Sequence, residues 1–130
     1  MRSANNLAVE AEETVLNENL LGQYRTRKTG LLERLIAAYL DEAPRFFQAI
    51  RQGDEAGNFD AIKLNAHALK SCSYNLGASR LSKICQAIEN SANSKDDGEI
   101  KGLLEKLGPE CFEAEQALRA ELYKLKGPKI

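Results

Sequence analysis

The chain contains a single histidine, His67, and its neighbours one helical turn away are Lys63, Leu64, Lys70 and Ser71. A neutral imidazole carries a ring nitrogen lone pair and needs no general base to act as a nucleophile. Two ammonium groups beside it can offset an incoming negative charge, and the small Ser71 leaves room above the ring. The grouping sets two cations and a steric gap around one nucleophile, a setting for chemistry on an anionic group. By spacing alone a solvated helix face is the more common reading of a lone histidine among lysines.

The surrounding residues place this histidine on a helix. Asn58 is a candidate N-cap with Asp60 in the first turn, Gly77 is suited to a left-handed C-terminal position, and Phe59, Ile62, Ala66, Leu69, Ser73 and Leu76 form an apolar stripe. At about 100° per residue, His67 falls roughly 140° from the centre of that stripe and should face water. A following helix carries Leu81, Ile84, Cys85, Ile88 and Ala92. If the two helices form an antiparallel hairpin turning at Gly77-Ala78, residues equidistant from position 78 lie side by side, and the partner of His67 is Glu89. Its carboxylate would then accept from Nδ1–H and leave Nε2 free to attack, or it would simply pair with a nearby lysine.

The other elements read as helices too. A short one over Thr14 to Tyr24 places Leu16, Leu20 and Tyr24 on one side, and a longer one from about Gly30 to Gln52 is kinked by Pro44. Polar punctuation follows at Gly53 to Gly57 and at Asn93 to Gly98. Asp96 with Glu99 then opens a last helix running from Ile100 to Leu125, kinked at Gly108-Pro109. No segment alternates as a strand would. The expected fold is all-α: an antiparallel up-down-up-down four-helix bundle with a short additional N-terminal helix across one end. Residues 1–13 are expected to be a flexible N-terminal segment, 14–126 the domain and 127–130 a tail.

Composition narrows the function. Apolar residues make up 43% and charged residues 28%, with a formal net charge of -1, too neutral for a nucleic-acid binder held by bulk charge. No stretch suits a membrane span or a cleaved leader, so the expected location is the cytoplasm. Cysteines 72, 85 and 111 are odd in number and lack metal-ligand spacing, so they read as small buried residues. A Cys-His enzyme is disfavoured because Cys72 points roughly 140° from His67 on the helical wheel.

The run Ala66-His67-Ala68-Leu69-Lys70-Ser71, followed by Asn75-Leu76-Gly77-Ala78, Leu81, Cys85, Ile88 and Glu89, resembles the signature of histidine-containing phosphotransfer domains. Leu40-Asp-Glu-Ala-Pro44 is similar to the family's preceding helix, so the resemblance extends from Val15 to Leu125. It implies that His67 is phosphorylated, that Lys70 stabilises the phosphoryl group, that Gly77 is the turn glycine, and that Glu89 orients the imidazole. Lys63, Leu64, Ser71 and Tyr74 would form the docking face. Ser71 stands where glycine is usual, and Tyr74 is bulky where many members are small; both bear on partner fit.

The resemblance further implies a monomeric phosphocarrier without turnover of its own, working with receiver domains and a sensor histidine kinase. It would need no cofactor, the Mg²⁺ belonging to the receiver. The runner-up is a helical-bundle binding module that docks on and regulates a signalling protein without obligatory phosphotransfer.

Overall fold

The computed structural model describes residues 14–25 and 30–127, and five helices with no strand lie among them. They are α1 (Glu18–Arg25), α2 (Leu31–Ala56), α3 (Phe59–Asn75), α4 (Ser79–Asn93) and α5 (Asp97–Lys126). Helices α2 to α5 pack in a ring, each against its neighbours in sequence, and α5 returns to α2 to close it. The buried stripes of all four meet inside, with Ile36, Ile50, Ile62, Leu69, Ile88, Ile100, Leu107 and Leu118 withdrawn completely from solvent. The expected segment 1–13 and the end of the tail, 128–130, lie outside the described residues.

Local chemistry sets the ends of α3. The Asn58 side chain accepts from the Ala61 N–H at 3.0 Å, which is the cap expected from sequence. At the other end, the Gly77 N–H donates to the Tyr74 carbonyl at 2.9 Å and the Ala78 N–H to the Ser73 carbonyl at 2.9 Å. This is a Schellman closure, and Gly77 supplies its left-handed residue at φ 77°. Asp96 caps α5 in turn, accepting from the Glu99 N–H at 3.1 Å.

Two boundaries differ from the sequence expectation. The short first helix begins at Glu18 rather than Thr14, because Asn17 is its cap: its side chain accepts from the Leu20 N–H at 3.1 Å. The residue this helix buries completely is Leu21, with Leu20 half-exposed. Helix α2 continues one turn past Gln52 to Ala56 and ends at Gly57, whose φ is 66°. Gly53 is therefore helical, and it serves close packing: a Cβ there would sit 3.0 Å from Ile62 Cγ1. Both α2 and α5 run unbroken across their prolines, Pro44 and Pro109.

Helix α1 lies at the end of the bundle where α3 turns into α4. The Asn17 N–H donates to the Gly77 carbonyl at 2.8 Å. Arg25 grips the buried Glu121 of α5 with two hydrogen bonds, Nε to Oε2 at 2.6 Å and Nη2 to Oε1 at 2.7 Å. This fork-to-fork pairing fixes the helix in direction as well as place.

The Gly77 turn is correspondingly sensitive. A Cβ there would fall 2.8 Å from both the Asn17 backbone nitrogen and its Cβ, on a residue already in left-handed conformation. Gly77→Ala should destabilise the domain by about 1–3 kcal/mol and lower its thermal midpoint by roughly 5–10 °C, read by circular dichroism.

Candidate functional site

His67 lies in the middle of α3 on its outer face, with 61% of its side chain exposed. Helix α4 runs antiparallel beside it, and the register set at Gly77 brings Glu89 level with His67. Nδ1 lies 3.2 Å from Glu89 Oε2. A carboxylate only accepts, so in the neutral imidazole Nδ1 carries the proton, and Nε2, on the far side of the ring, keeps the lone pair.

Glu89 is buried, at 8% exposure, which is costly for a carboxylate unless it is paired. Its second oxygen, Oε1, lies 2.6 Å from Lys70 Nζ. The angles of that ion pair fall outside hydrogen-bond geometry, and no other described group bonds Oε1. The two alternatives left open by the sequence are thus both realised, one on each oxygen. Burial pushes the Glu89 carboxyl up, but the close Lys70 ammonium and the hydrogen bond and charge of His67 outweigh it and hold the group below its usual value. The stability contributed by this pairing is accordingly in place above about pH 4.5, the ordinary glutamate value, and is lost only as pH falls through the lower folded value.

The Lys70 ammonium also donates to Gln86 Oε1 at 2.8 Å. The Gln86 amide donates in turn to Asn90 Oδ1 at 3.0 Å. Lys70 is therefore held on two sides in the unphosphorylated protein, and it is one turn from the histidine on the same helix face. Gln86 and Asn90 were not singled out from sequence. The signal for Gln86 was available, since positions 70 and 86 are equidistant from 78 just as 67 and 89 are.

The other residues named from sequence surround this cluster without joining it. Lys63 and Ser71 are exposed, and Leu64 and Tyr74 are exposed to 70% and 66%. Tyr74 and Ser71 line a shallow cleft with Lys70, Asn75 and Ser82, directly alongside the histidine face.

The cysteines lie in or against the core. Cys85 and Cys111 are buried and Cys72 is half-buried. Burial pushes the Cys72 thiol up to about 11, the Cys111 thiol up to about 12, and the Cys85 thiol up as well. Protonated thiols are neither nucleophiles nor metal ligands. No grouping of residues able to hold a metal ion occurs among the described residues, and no described helix is long and apolar enough to cross a membrane.

The Hpt domain model matches residues 34–127. The chain belongs to the Hpt domain family. The fold of this Hpt domain is similar to that of a crystal structure of histidine-containing phosphotransfer protein B from Pseudomonas aeruginosa PAO1. The match has a TM-score of 0.80 at 20% identity, over 85% of this chain and 96% of the other. No curated protein gives a significant sequence match.

The hydrogen bond at Nδ1 is directly measurable. In ring ¹⁵N NMR, the wild-type domain should show Nδ1 protonated in the neutral imidazole. Glu89→Ala should move the balance toward the Nε2–H form that free imidazole side chains prefer, and an unchanged tautomer would show that the two side chains do not meet in solution.

Proposed function

We propose that this domain is a phosphocarrier of a multistep phosphorelay, taking a phosphoryl group onto His67 Nε2 from the aspartyl phosphate of a receiver domain and passing it to another. The observation that carries this reading is the 3.2 Å pairing of Nδ1 with Glu89 on a ring whose side chain is 61% exposed, which in the neutral imidazole leaves the lone pair on Nε2. Membership of the Hpt family supports it.

The Nε2 lone pair attacks phosphorus while the P–O bond to the aspartyl carboxyl breaks, its electrons leaving on the carboxylate oxygen. The proton on Nδ1 stays in place through this step. The ring therefore becomes cationic, and Glu89 Oε2 lies where it stabilises that charge. Because Nδ1–H is retained, the imidazole is also a good leaving group, so the same geometry serves the return step. Lys70, one turn away, can reach the phosphoryl oxygens, whose charge is about -1.5 to -2 near neutral pH.

The remaining chemistry belongs to the partner, which in this reading brings the aspartate and Mg²⁺. This chain itself needs no cofactor and turns nothing over. Receiver domains and a sensor histidine kinase are the partners, met by a monomeric domain in the cytoplasm. Leu64, Ser71 and Tyr74 form the docking face, and Lys63 contributes charge toward an acidic receiver pocket.

Incubation with a panel of labelled phospho-receivers tests the assignment. Wild-type protein should acquire an acid-labile, base-stable label. His67→Gln should acquire none while keeping its helical spectrum, and label on that variant would overturn the reading. Lys70→Ala should slow transfer about tenfold, the scale of one lost charge-assisted contact, and should also lower the thermal midpoint by several degrees, because it leaves the buried Glu89 Oε1 without its cation.

A further inference from the structure

Lys70 has two claimants. In the unphosphorylated site its ammonium is 2.6 Å from Glu89 Oε1 and 2.8 Å from Gln86 Oε1, and only 23% of its side chain is exposed. It is the one cation on Oε1, which is otherwise without a partner among the described residues. Glu89 Oε2 is meanwhile committed to the imidazole. A phosphoryl group on Nε2 would place a second, larger negative charge within reach of the same ammonium, and one lysine cannot stay in close contact with both.

We propose that Glu89 and the phosphoryl group on His67 compete for Lys70, and that this competition makes the domain a poor store and a ready donor of phosphoryl groups. The inference rests on His67 being the phosphorylated residue. Before transfer, the site is nearly neutral and closed on itself: lysine on carboxylate, carboxylate on imidazole. After transfer the ring is cationic and stays paired with Glu89 Oε2, but a single ammonium must still serve two anionic sites, Glu89 Oε1 and the phosphoryl oxygens. If Lys70 turns to the phosphoryl oxygens, the buried Oε1 loses its sole partner; if it stays, the phosphoryl group lacks a local counterion. Either cost falls on the phosphorylated state alone and so favours release.

The same argument gives Glu89 a role that an orienting group without charge would not have. A glutamine at this position can still accept from Nδ1–H, but it does not contend electrostatically for Lys70. Glu89→Gln keeps an acceptor for Nδ1–H and removes the carboxylate charge with almost no change in shape, and the part of its effect that depends on Lys70 reports the competition. Gln86 then acts as a positioning residue, keeping the ammonium near the ring after Glu89 lets go.

The test uses the whole chain and a donor that needs no protein partner. Phosphoramidate transfers its phosphoryl group to Nε2 with ammonia as the leaving group. Decay of the resulting phosphohistidine is followed by ³¹P NMR in wild type, Glu89→Gln, Lys70→Met and the double variant. Glu89→Gln should lengthen the phosphohistidine lifetime by about three- to tenfold, the scale of one charge at a partly exposed site. In the Lys70→Met background the same substitution should change it less than about twofold, because there is no lysine left to release. A lifetime unchanged or shortened by Glu89→Gln, or a gain equally large without Lys70, would overturn the competition. Ring ¹⁵N shifts and the helical spectrum of each variant show that orientation and fold are intact.

A relay assay run beside it distinguishes the two readings. Failure of wild-type protein to exchange label with any receiver would remove the relay function, while the lifetime comparison would still decide the competition for Lys70. Where exchange occurs, Glu89→Gln should shift the equilibrium toward phospho-His67 by a similar three- to tenfold factor.

Discussion

The backbone closure at Gly77, where Ala78 N–H meets the Ser73 carbonyl and Gly77 N–H the Tyr74 carbonyl, determines which residue of α4 faces which residue of α3. A change in its length by one residue would rotate α4 by about 100° and carry Glu89 away from the imidazole. The same turn provides the carbonyl on which α1 begins, through Asn17. Neither His67 nor Lys70 is held by deep packing of its own. Each takes its place because the hairpin delivers a buried carboxylate and a surface amide to the right level.

The burial of Glu89 follows from the same register. Its helix is amphipathic, and position 89 adjoins Ile88 at the edge of the buried stripe. A carboxylate there is tolerated because α3 supplies two partners for it, and removing either would strand a charge. Structure and reactivity are coupled at this point: the interactions that make the buried group acceptable are those that set the state of the imidazole and the ammonium.

Much of this was legible in the sequence because it depends on local chemistry. Asn58, Gly77 and Asp96 are short-range signals, and all three act as read. The stripe from Ile62 to Leu76 and the outward direction of His67 follow from helical geometry, and the proximity of Glu89 from counting across a turn. What escaped was decided by tertiary contact. Gly53 reads as a breaker, yet its missing side chain lets α2 pass close to Ile62 and the helix continues. Thr14 to Leu16 look helical by pattern, but Asn17 competes as the cap and starts the helix later. The sharing of Glu89 between His67 and Lys70 required knowing that its two oxygens point in different directions, which spacing does not reveal.

The recessed position of Glu89 also divides the electrostatics of the site into two ranges. From outside, an approaching protein meets Lys63, the edge of the imidazole and the partly exposed Lys70, while the carboxylate lies beneath them. Mobile ions screen charges in open solvent over about 8 Å at physiological ionic strength and affect buried pairs far less. Salt should therefore weaken any long-range attraction between this face and an acidic surface while leaving the internal balance among imidazole, carboxylate and ammonium nearly untouched. The speed of encounter and the chemistry that follows it can then respond separately to the ionic medium.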